Sequence, residues 1–370
     1  MIYLDSAATA MRKPAEVRSA ILRAMAECAS PGRGGHAAAE RAAARVFACR
    51  TAAGELFSCD PEQVVFTMNA THGLNLAIKT LVKPGGRAVI SGFEHNAVLR
   101  PLHRLGAEII VAGRRLFDPA DTLAAFDNAI RPGVDAVICT HVSNVFGYIL
   151  PVEEIADLCR RRGVPFVLDA SQSAGCLPVS MRDLSAAFIA MPGHKGLYGP
   201  QGTGILLCSR LPEPLMEGGT GSLSRPREMP DFLPDRAEAG TMNVPGICGL
   251  QAGMRFVRRN GTERILRHEI ELRRRLAESL RGTPARVFAG DGQTGVLSVS
   301  FPQDCETVAQ RLADRGVAVR AGLHCAPLAH ESAGTLERGT VRLSPCVFTT
   351  IREVQSVARM LREITLEKDE

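Results

Sequence analysis

The sequence contains no CxxC pair, no basic block, no repeat, no low-complexity tract and no apolar run long enough to span a membrane. Each absence closes a class of function. Eleven cysteines are present, yet no two lie closer than Cys49 and Cys59, so zinc-ribbon and simple iron–sulfur ligation lack their usual spacing and no metal is expected. The first ten residues carry no charged stretch followed by an apolar one, so they do not have the form of a secretory leader. No window approaches the ~20 uninterrupted apolar residues that a spanning helix needs. The net charge is only +5, from 44 basic against 39 acidic residues. The short runs Arg160-Arg161-Arg162 and Arg273-Arg274-Arg275 fall in helical stretches, where solvated faces are expected, so neither nucleic-acid nor membrane binding finds support. What remains is a chain of 370 residues, 45% hydrophobic and 22% charged, which is globular and large enough for two domains. Its cysteines are expected to be reduced, most of them acting as small core hydrophobes, which points to the cytoplasm.

Through the first two-thirds of the chain, short apolar runs alternate with helical patterns. Strands are expected at 63–67, 87–90, 108–111, 136–140, 166–168, 187–190 and 204–208, with helices at 71–82, 97–105, 121–130 and 152–162. The strands are rich in β-branched and aliphatic residues and lack strict alternation. The expected fold class is therefore α/β, a mostly parallel sheet covered by helices on both faces. From Leu211 to Pro245 the texture turns to Pro, Gly, Glu and Arg, a long irregular excursion of the kind that serves function or an interface. Beyond it come a long amphipathic helix over about 248–281, a strand at 296–301, a helix near 306–315, a strand at 317–320 and a closing helix at 351–364. These suit a smaller α+β domain. The expected division is an N-terminal segment, 1–15, packing with the small domain; a large domain, 16–247; and a small domain, 248–370.

Candidate functional residues gather at strand ends and just beyond, where open parallel sheets place their ligands. Asp169 directly follows the apolar run 166–168. A carboxylate there can hold a heterocyclic nitrogen protonated, or serve as a helix cap or ion-pair partner. Gln172 lies three residues on. Lys195 sits in Pro192-Gly193-His194-Lys195-Gly196, after another apolar run. A buried lysine loses its charge readily, and an uncharged amine is what forms an imine with an aldehyde. The flanking glycines allow close backbone approach to a planar ligand. The plainer alternative is a solvated loop lysine. Asn69-Ala70-Thr71-His72-Gly73 joins a strand to a helix, so its N–H groups and the Thr71 hydroxyl form either a phosphate cradle or an ordinary cap. His95, in Gly92-Phe93-Glu94-His95-Asn96, can stack on a ring, act as acid–base or be structural.

In combination and order these segments resemble the class V aminotransferase group of fold-type I pyridoxal-phosphate enzymes, in particular the cysteine desulfurase and selenocysteine lyase family. The likeness starts at Tyr3-Leu4-Asp5-Ser6-Ala7-Ala8-Thr9, similar to the family's YLDNAATT, and runs almost to the C-terminus. Glu94-His95-Asn96-Ala97-Val98 resembles the EHxA segment and implies that His95 stacks over the cofactor ring. Thr140-His141-Val142-Ser143-Asn144-Val145 resembles THVSN and implies Asn144 near the cofactor O3′ or the substrate carboxylate. Asp169-Ala170-Ser171-Gln172 is similar to DxxQ, with Asp169 on the pyridine nitrogen and Gln172 near O3′. Gly193-His194-Lys195 is similar to GHK, with Lys195 as the Schiff-base lysine and His194 on the phosphate beside Ala70 and Thr71. Glu238-Ala239-Gly240-Thr241 matches EAGT, whose threonine reaches the phosphate of the neighbouring subunit's cofactor, so a homodimer is implied. The sequence departs from the family at Pro192, where many relatives carry serine. Proline supplies neither hydroxyl nor N–H, so Thr71, His194 and the partner's Thr241 must cover that contact.

The C-terminal part carries the reaction. Arg320-Ala321-Gly322-Leu323-His324-Cys325 resembles the RxGxHC segment of the SufS-like branch of cysteine desulfurases and sets Cys325 on a loop, where a thiolate can act as nucleophile. Arg342, in Thr340-Val341-Arg342-Leu343-Ser344, resembles the arginine that clamps the substrate α-carboxylate, a task suited to a bidentate fork. The resemblance implies a cysteine desulfurase with Lys195, Cys325 and His95 as catalytic residues. Lys195 takes the Cα proton of L-cysteine, Cys325 attacks its sulfur, and alanine leaves with a persulfide remaining on Cys325. The alternative is a selenocysteine lyase acting on L-selenocysteine, or another class V lyase or aminotransferase in which Cys325 is incidental. A protein sulfur acceptor is implied without an identity. Arg33 and His36, in Gly32-Arg33-Gly34-Gly35-His36, are lesser candidates for the site.

Overall fold

A computed structural model describes residues 1–32 and 34–366. In chain order it begins with strand β1 (Ile2–Tyr3) and helices α1 (Ala15–Glu27) and α2 (Ala37–Phe57), none of them announced by the strand–helix alternation. There follow β2 (Val64–Thr67), α3 (Ala70–Leu81), β3 (Arg87–Ser91), α4 (Asn96–Arg104), β4 (Glu108–Ala112), α5 (Pro119–Ala129), β5 (Ala136–Thr140), α6 (Val152–Arg162), β6 (Phe166–Asp169), α7 (Met181–Leu184), β7 (Phe188–Pro192) and β8 (Gly204–Cys208). Strands β2 to β8 form one sheet in the order β2-β8-β7-β6-β5-β3-β4. Only β8 runs against its neighbours; the other pairs are parallel, so the mostly parallel α/β expectation holds.

The missing alternation has a direct cause. Val89, Val137, Cys139 and Leu168 belong to the core on one face of the sheet, while Ala88, Ile90, Ile138 and Val167 belong to the core on the other. A strand covered on both faces has no solvated side to mark with polar residues.

The remainder comprises α8 (Val244–Asn260), α9 (Thr262–Ser279), β9 (Arg286–Phe288), β10 (Leu297–Ser300), α10 (Cys305–Asp314), β11 (Val317–Ala318), β12 (Arg320–Gly322), α11 (Pro327–Ala333), β13 (Thr340–Leu343) and α12 (Ile351–Leu366). A second, antiparallel sheet has the order β12-β13-β10-β9. β1 pairs in parallel with β11, which ties the start of the chain to its C-terminal part. Helix α8 straddles the expected junction at 247/248 and packs against α1 and α2.

Three local expectations are corrected. The single helix over 248–281 is two, divided at Gly261, whose φ of 78° and ψ of 132° leave the helical region. The strand at 317–320 splits, because Val317–Ala318 pairs with β1 whereas Arg320–Gly322 pairs with β13. Arg273 is not on a solvated face: it is 7% exposed and shares the inner side of α9 with Leu272 and Leu276. The other run behaves as expected, with Arg160 and Arg161 paired to Asp157 and Arg162 to Asp127. Among the described residues no helix is long and apolar enough to cross a membrane.

Candidate active site

The ends of β5, β6 and β7 and the starts of α3 and α4 converge on one cavity of about 90 Å³. Its wall brings together Ala70, Thr71, His95, Asn144, Asp169, Gln172, His194 and Lys195. A second cavity of about 50 Å³ also touches Gln172 and Lys195. Parallel strands deliver these side chains at their C-terminal ends, as the sheet topology dictates.

Asp169 closes β6 and is buried, with its Oδ1 accepting from the Ser171 N–H at 2.9 Å. Lys195 follows β7 and lines the cavity, where burial draws its amine down to about 8; Asp169 opposes that fall, and Arg342 and Arg320 add to it. His95 caps α4, its Nδ1 accepting from the Ala97 N–H at 3.0 Å, which leaves the hydrogen of a neutral ring on Nε2. Burial lowers His95 to about 4 against the pull of Asp169, so the ring is neutral at pH 7.

These groups suit pyridoxal phosphate. The Asn69 side chain caps the His72 N–H at 2.9 Å, while Ala70 and Thr71, as the first two residues of α3, have N–H groups with no intrahelical acceptor. His194 Nδ1 is buried without a partner, and burial keeps the ring neutral, near 4. Together with the Thr71 hydroxyl these form a donor set for a phosphate at a helix N-terminus. Asp169, the one carboxylate among the described residues lining this cavity, is suited to face a protonated ring nitrogen. Pro192, the last residue of β7, lines the same cavity without offering a donor. The glycines beside Lys195 serve the protein more than the ligand: a Cβ on Gly193 would lie 2.2 Å from Thr203 Oγ1, and one on Gly196 would lie 2.3 Å from the Ala174 carbonyl oxygen.

Arg342 and Cys325 reach the site from the smaller sheet. Arg342 is 1% exposed; its Nη2 donates to Asp5 Oδ1 at 2.8 Å and its Nη1 to the Asn144 carbonyl at 3.0 Å, while Nε is buried and unpartnered. Asn144 Nδ2 in turn donates to the His324 carbonyl at 2.8 Å, and the Asn96 N–H, next to His95, donates to the Cys325 carbonyl at 2.8 Å. The loop is thus fastened to both sides of the cofactor cavity. It needs fastening, because His324 and Cys325 hold φ of 51° and 59°, a left-handed pair that costs of order 1 kcal/mol or more per residue. Its effect is to turn Cys325 outward, with Arg320 Nη2 3.9 Å from Sγ. Cys325 is the only exposed cysteine of the eleven, and none forms a disulfide. Burial pushes the Cys59 and Cys159 thiols up to about 11 and about 12, and that of Cys139 well above its usual value, so these are poor nucleophiles.

Three participants were not singled out from the sequence: Asp5, Arg320 and Glu94. Glu94 is buried, accepts from Ser91 Oγ and from the Thr140 N–H, and is pushed up to about 8 by burial, so it carries a proton at neutral pH and spares Asp169 a like charge. Its signal was its position immediately before His95. Gln172 Nε2 donates to the Ala7 carbonyl at 3.1 Å and so braces the N-terminal segment. Thr241 does not join the cavity. It lines a separate one of about 210 Å³ with Met68 and Met216. Glu238 of the same segment is an internal anchor, held by Arg50 through both oxygens and by the Phe66 N–H. His36 is exposed and caps α2 rather than lining the cavity, and Arg33 lies outside the described residues.

The aminotransferase class V family matches residues 2–357. A probable cysteine desulfurase of Methanothermobacter thermautotrophicus is 32% identical over 389 aligned residues, covering 98% of this chain and 94% of that protein. The apo structure of a cysteine desulfurase from Thermococcus onnurineus NA1 is similar at a TM-score of 0.91 and 32% identity, over 98% of this chain and 94% of that one. The cysteine desulfurase CsdA of Escherichia coli, solved in an S-sulfonic acid form, gives a TM-score of 0.86 at 25% identity, over 98% and 95% of the two chains.

Proposed function

The chain belongs to the class V aminotransferase family of pyridoxal-phosphate enzymes, and we propose that its reaction is the desulfuration of L-cysteine, releasing alanine and leaving the sulfur as a persulfide on Cys325. The observation that carries this reading is the single exposed cysteine, tied through Asn96 and Asn144 to the rim of the cofactor cavity.

Pyridoxal phosphate supplies an aldehyde for amines and a ring that spreads the electrons left when a Cα–H bond breaks. The side chains supply the rest. Lys195 anchors the cofactor and, once released, is the base for the Cα proton. Asp169 stabilises positive charge on the ring nitrogen. The Arg342 fork, held between Asp5 and Asn144 with Nε to spare, takes the substrate carboxylate. Cys325 Sγ, which Arg320 Nη2 approaches to 3.9 Å, is the nucleophile. Attack by Sγ on the substrate sulfur forms the S–S bond as the C–S bond breaks, and a proton ends on the β-carbon of alanine.

Thr241 reaches the phosphate of a second copy's site in this reading. Met68 and Met216, 55% and 49% exposed beside it, support a covered face and hence a homodimer. Residues 16–247 then form the cofactor domain, and 248–370, with the segment 1–15, carry Cys325 and Arg342. The free cysteines suit a reducing compartment such as the cytoplasm, and the exposed Cys325 suits delivery to a protein acceptor.

Two measurements test this. Cofactor-loaded protein given L-cysteine, with no keto acid present, is expected to yield alanine and persulfide sulfur in equal amounts; pyruvate in place of alanine would overturn the reaction. An amine with its pKa near 8 is about one-tenth neutral at pH 7, so capture of pyridoxal phosphate by the apo-protein is expected to quicken about fivefold by pH 8 and about tenfold by pH 9. A flat profile in the imine absorbance would contradict a desolvated Lys195.

A further inference from the structure

We infer that a cleft between α9 and the β9–β10 segment binds a phosphorylated small molecule, seated on Arg273 and Arg274. The cleft measures about 780 Å³, far more than the cofactor cavity, and shares no wall residue with it. Its wall includes the second half of α9, the turn at 281–283, the loop at 289–293 and Ile149 from the larger sheet's side.

The first argument is an uncompensated charge. Arg273 is 7% exposed, its Nε is buried without a partner, and it makes no hydrogen bond or ion pair among the described residues. Other arginines of α9 pair with the glutamate four residues earlier: Arg267 with Glu263, and Arg275 with Glu271. The equivalent for Arg273 is Glu269, an arrangement that normally pairs. It does not pair here. Glu269 is pushed up to about 8 by burial alone, as a carboxyl without a cation beside it, and lines the small cavity near Lys195. Arg273 has turned to the other cavity. There burial lowers its pKa, and its electrostatic neighbour Arg274 adds to that fall. Glu278 and Asp291 stand on the same wall but are exposed and leave Arg273 unpaired.

A guanidinium buried beside a like charge is costly unless an anion neutralises it. Arg274 is exposed on the same wall, so an anion bound by the buried Arg273 can also meet a second, solvent-facing guanidinium, which favours a multiply charged phosphate over a single carboxylate. The volume falls within the range of small-molecule sites, and Ile149 and Val287 offer apolar wall for the body of an organic phosphate.

Calorimetry on the cofactor-loaded protein, so that the active-site phosphate position is filled, tests the inference with inorganic pyrophosphate and with adenosine 5′-monophosphate. Saturable binding of at least one is expected, weakened about tenfold or more in Arg273→Met and less in Arg274→Met, with cysteine turnover unchanged in both. Tighter binding of the nucleotide assigns an organic phosphate, and tighter binding of pyrophosphate an inorganic one. Without ligand, Arg273→Met is expected to melt at or above the wild-type temperature, because an unpaired charge has gone. No saturable binding of either probe, or binding that survives both substitutions, overturns the site. Should Arg273→Met fail to fold, Arg274→Met decides the matter alone.

Discussion

Replacing Cys325 with alanine is expected to leave the absorbance of bound cofactor in place and to lower persulfide formation from L-cysteine by about a thousandfold or more. The separation of the two readouts follows from the structure. Cys325 contributes its carbonyl, not its side chain, to the bond with Asn96, so the substitution keeps the loop fastened while removing the proposed nucleophile. No other cysteine can take over, since the remaining ten are at least half-buried and most have thiols pushed up by burial. Cys159→Ala serves as the control and should turn over at the wild-type rate. Full persulfide output from Cys325→Ala would remove the nucleophile role. The same variant given L-selenocysteine decides the neighbouring possibility: selenium release that persists while sulfur transfer is lost would mark a selenocysteine lyase.

How much of this was legible in the sequence depended on how far apart the interacting residues lie. The central strands are legible because burial on both faces makes them apolar throughout, and the residues proposed for the cofactor are legible because each sits within a short segment of fixed spacing at a strand end. The pairing of Asp5 with Arg342 spans almost the whole chain, and no local pattern could report it. Helices α1 and α2 escaped notice because alanines, small and weakly hydrophobic, carry much of their packing; Ala39, Ala42 and Ala53 are buried where larger apolar residues would have drawn the periodicity. Gly261 shows the reverse case, a single residue that breaks an otherwise continuous amphipathic pattern. Arg273 departs from the solvated face expected of its run because successive residues on a helix point about 100° apart, so three consecutive arginines cannot share one face. Thr241 cannot be judged from one chain, since its expected role lies in a second copy.

Lys195→Ala is expected to abolish the imine absorbance of the purified protein and to reduce cysteine turnover by about 10⁴-fold or more. In the proposed reaction two functions disappear together: the covalent anchor and the base for the Cα proton, the second alone accounting for about 10²–10⁴. The phosphate donors on α3, His194 and the Asp169 carboxylate are untouched, so pyridoxal phosphate should still bind, absorbing as the free aldehyde. A small primary amine added to the variant should restore part of the proton transfer, in step with its own basicity, which a merely structural lysine would not allow. Among the described residues the rival amine is that of Lys13. Burial brings its amine down to about 8 as well, and its Nζ donates to the His194 carbonyl at 2.9 Å. That bond engages Lys13 with the backbone of the very segment that positions Lys195, and Lys13 does not line the cofactor cavity. Lys13→Ala should therefore keep the imine band, whereas an imine that survives Lys195→Ala and vanishes only in the double variant would move the anchor to Lys13.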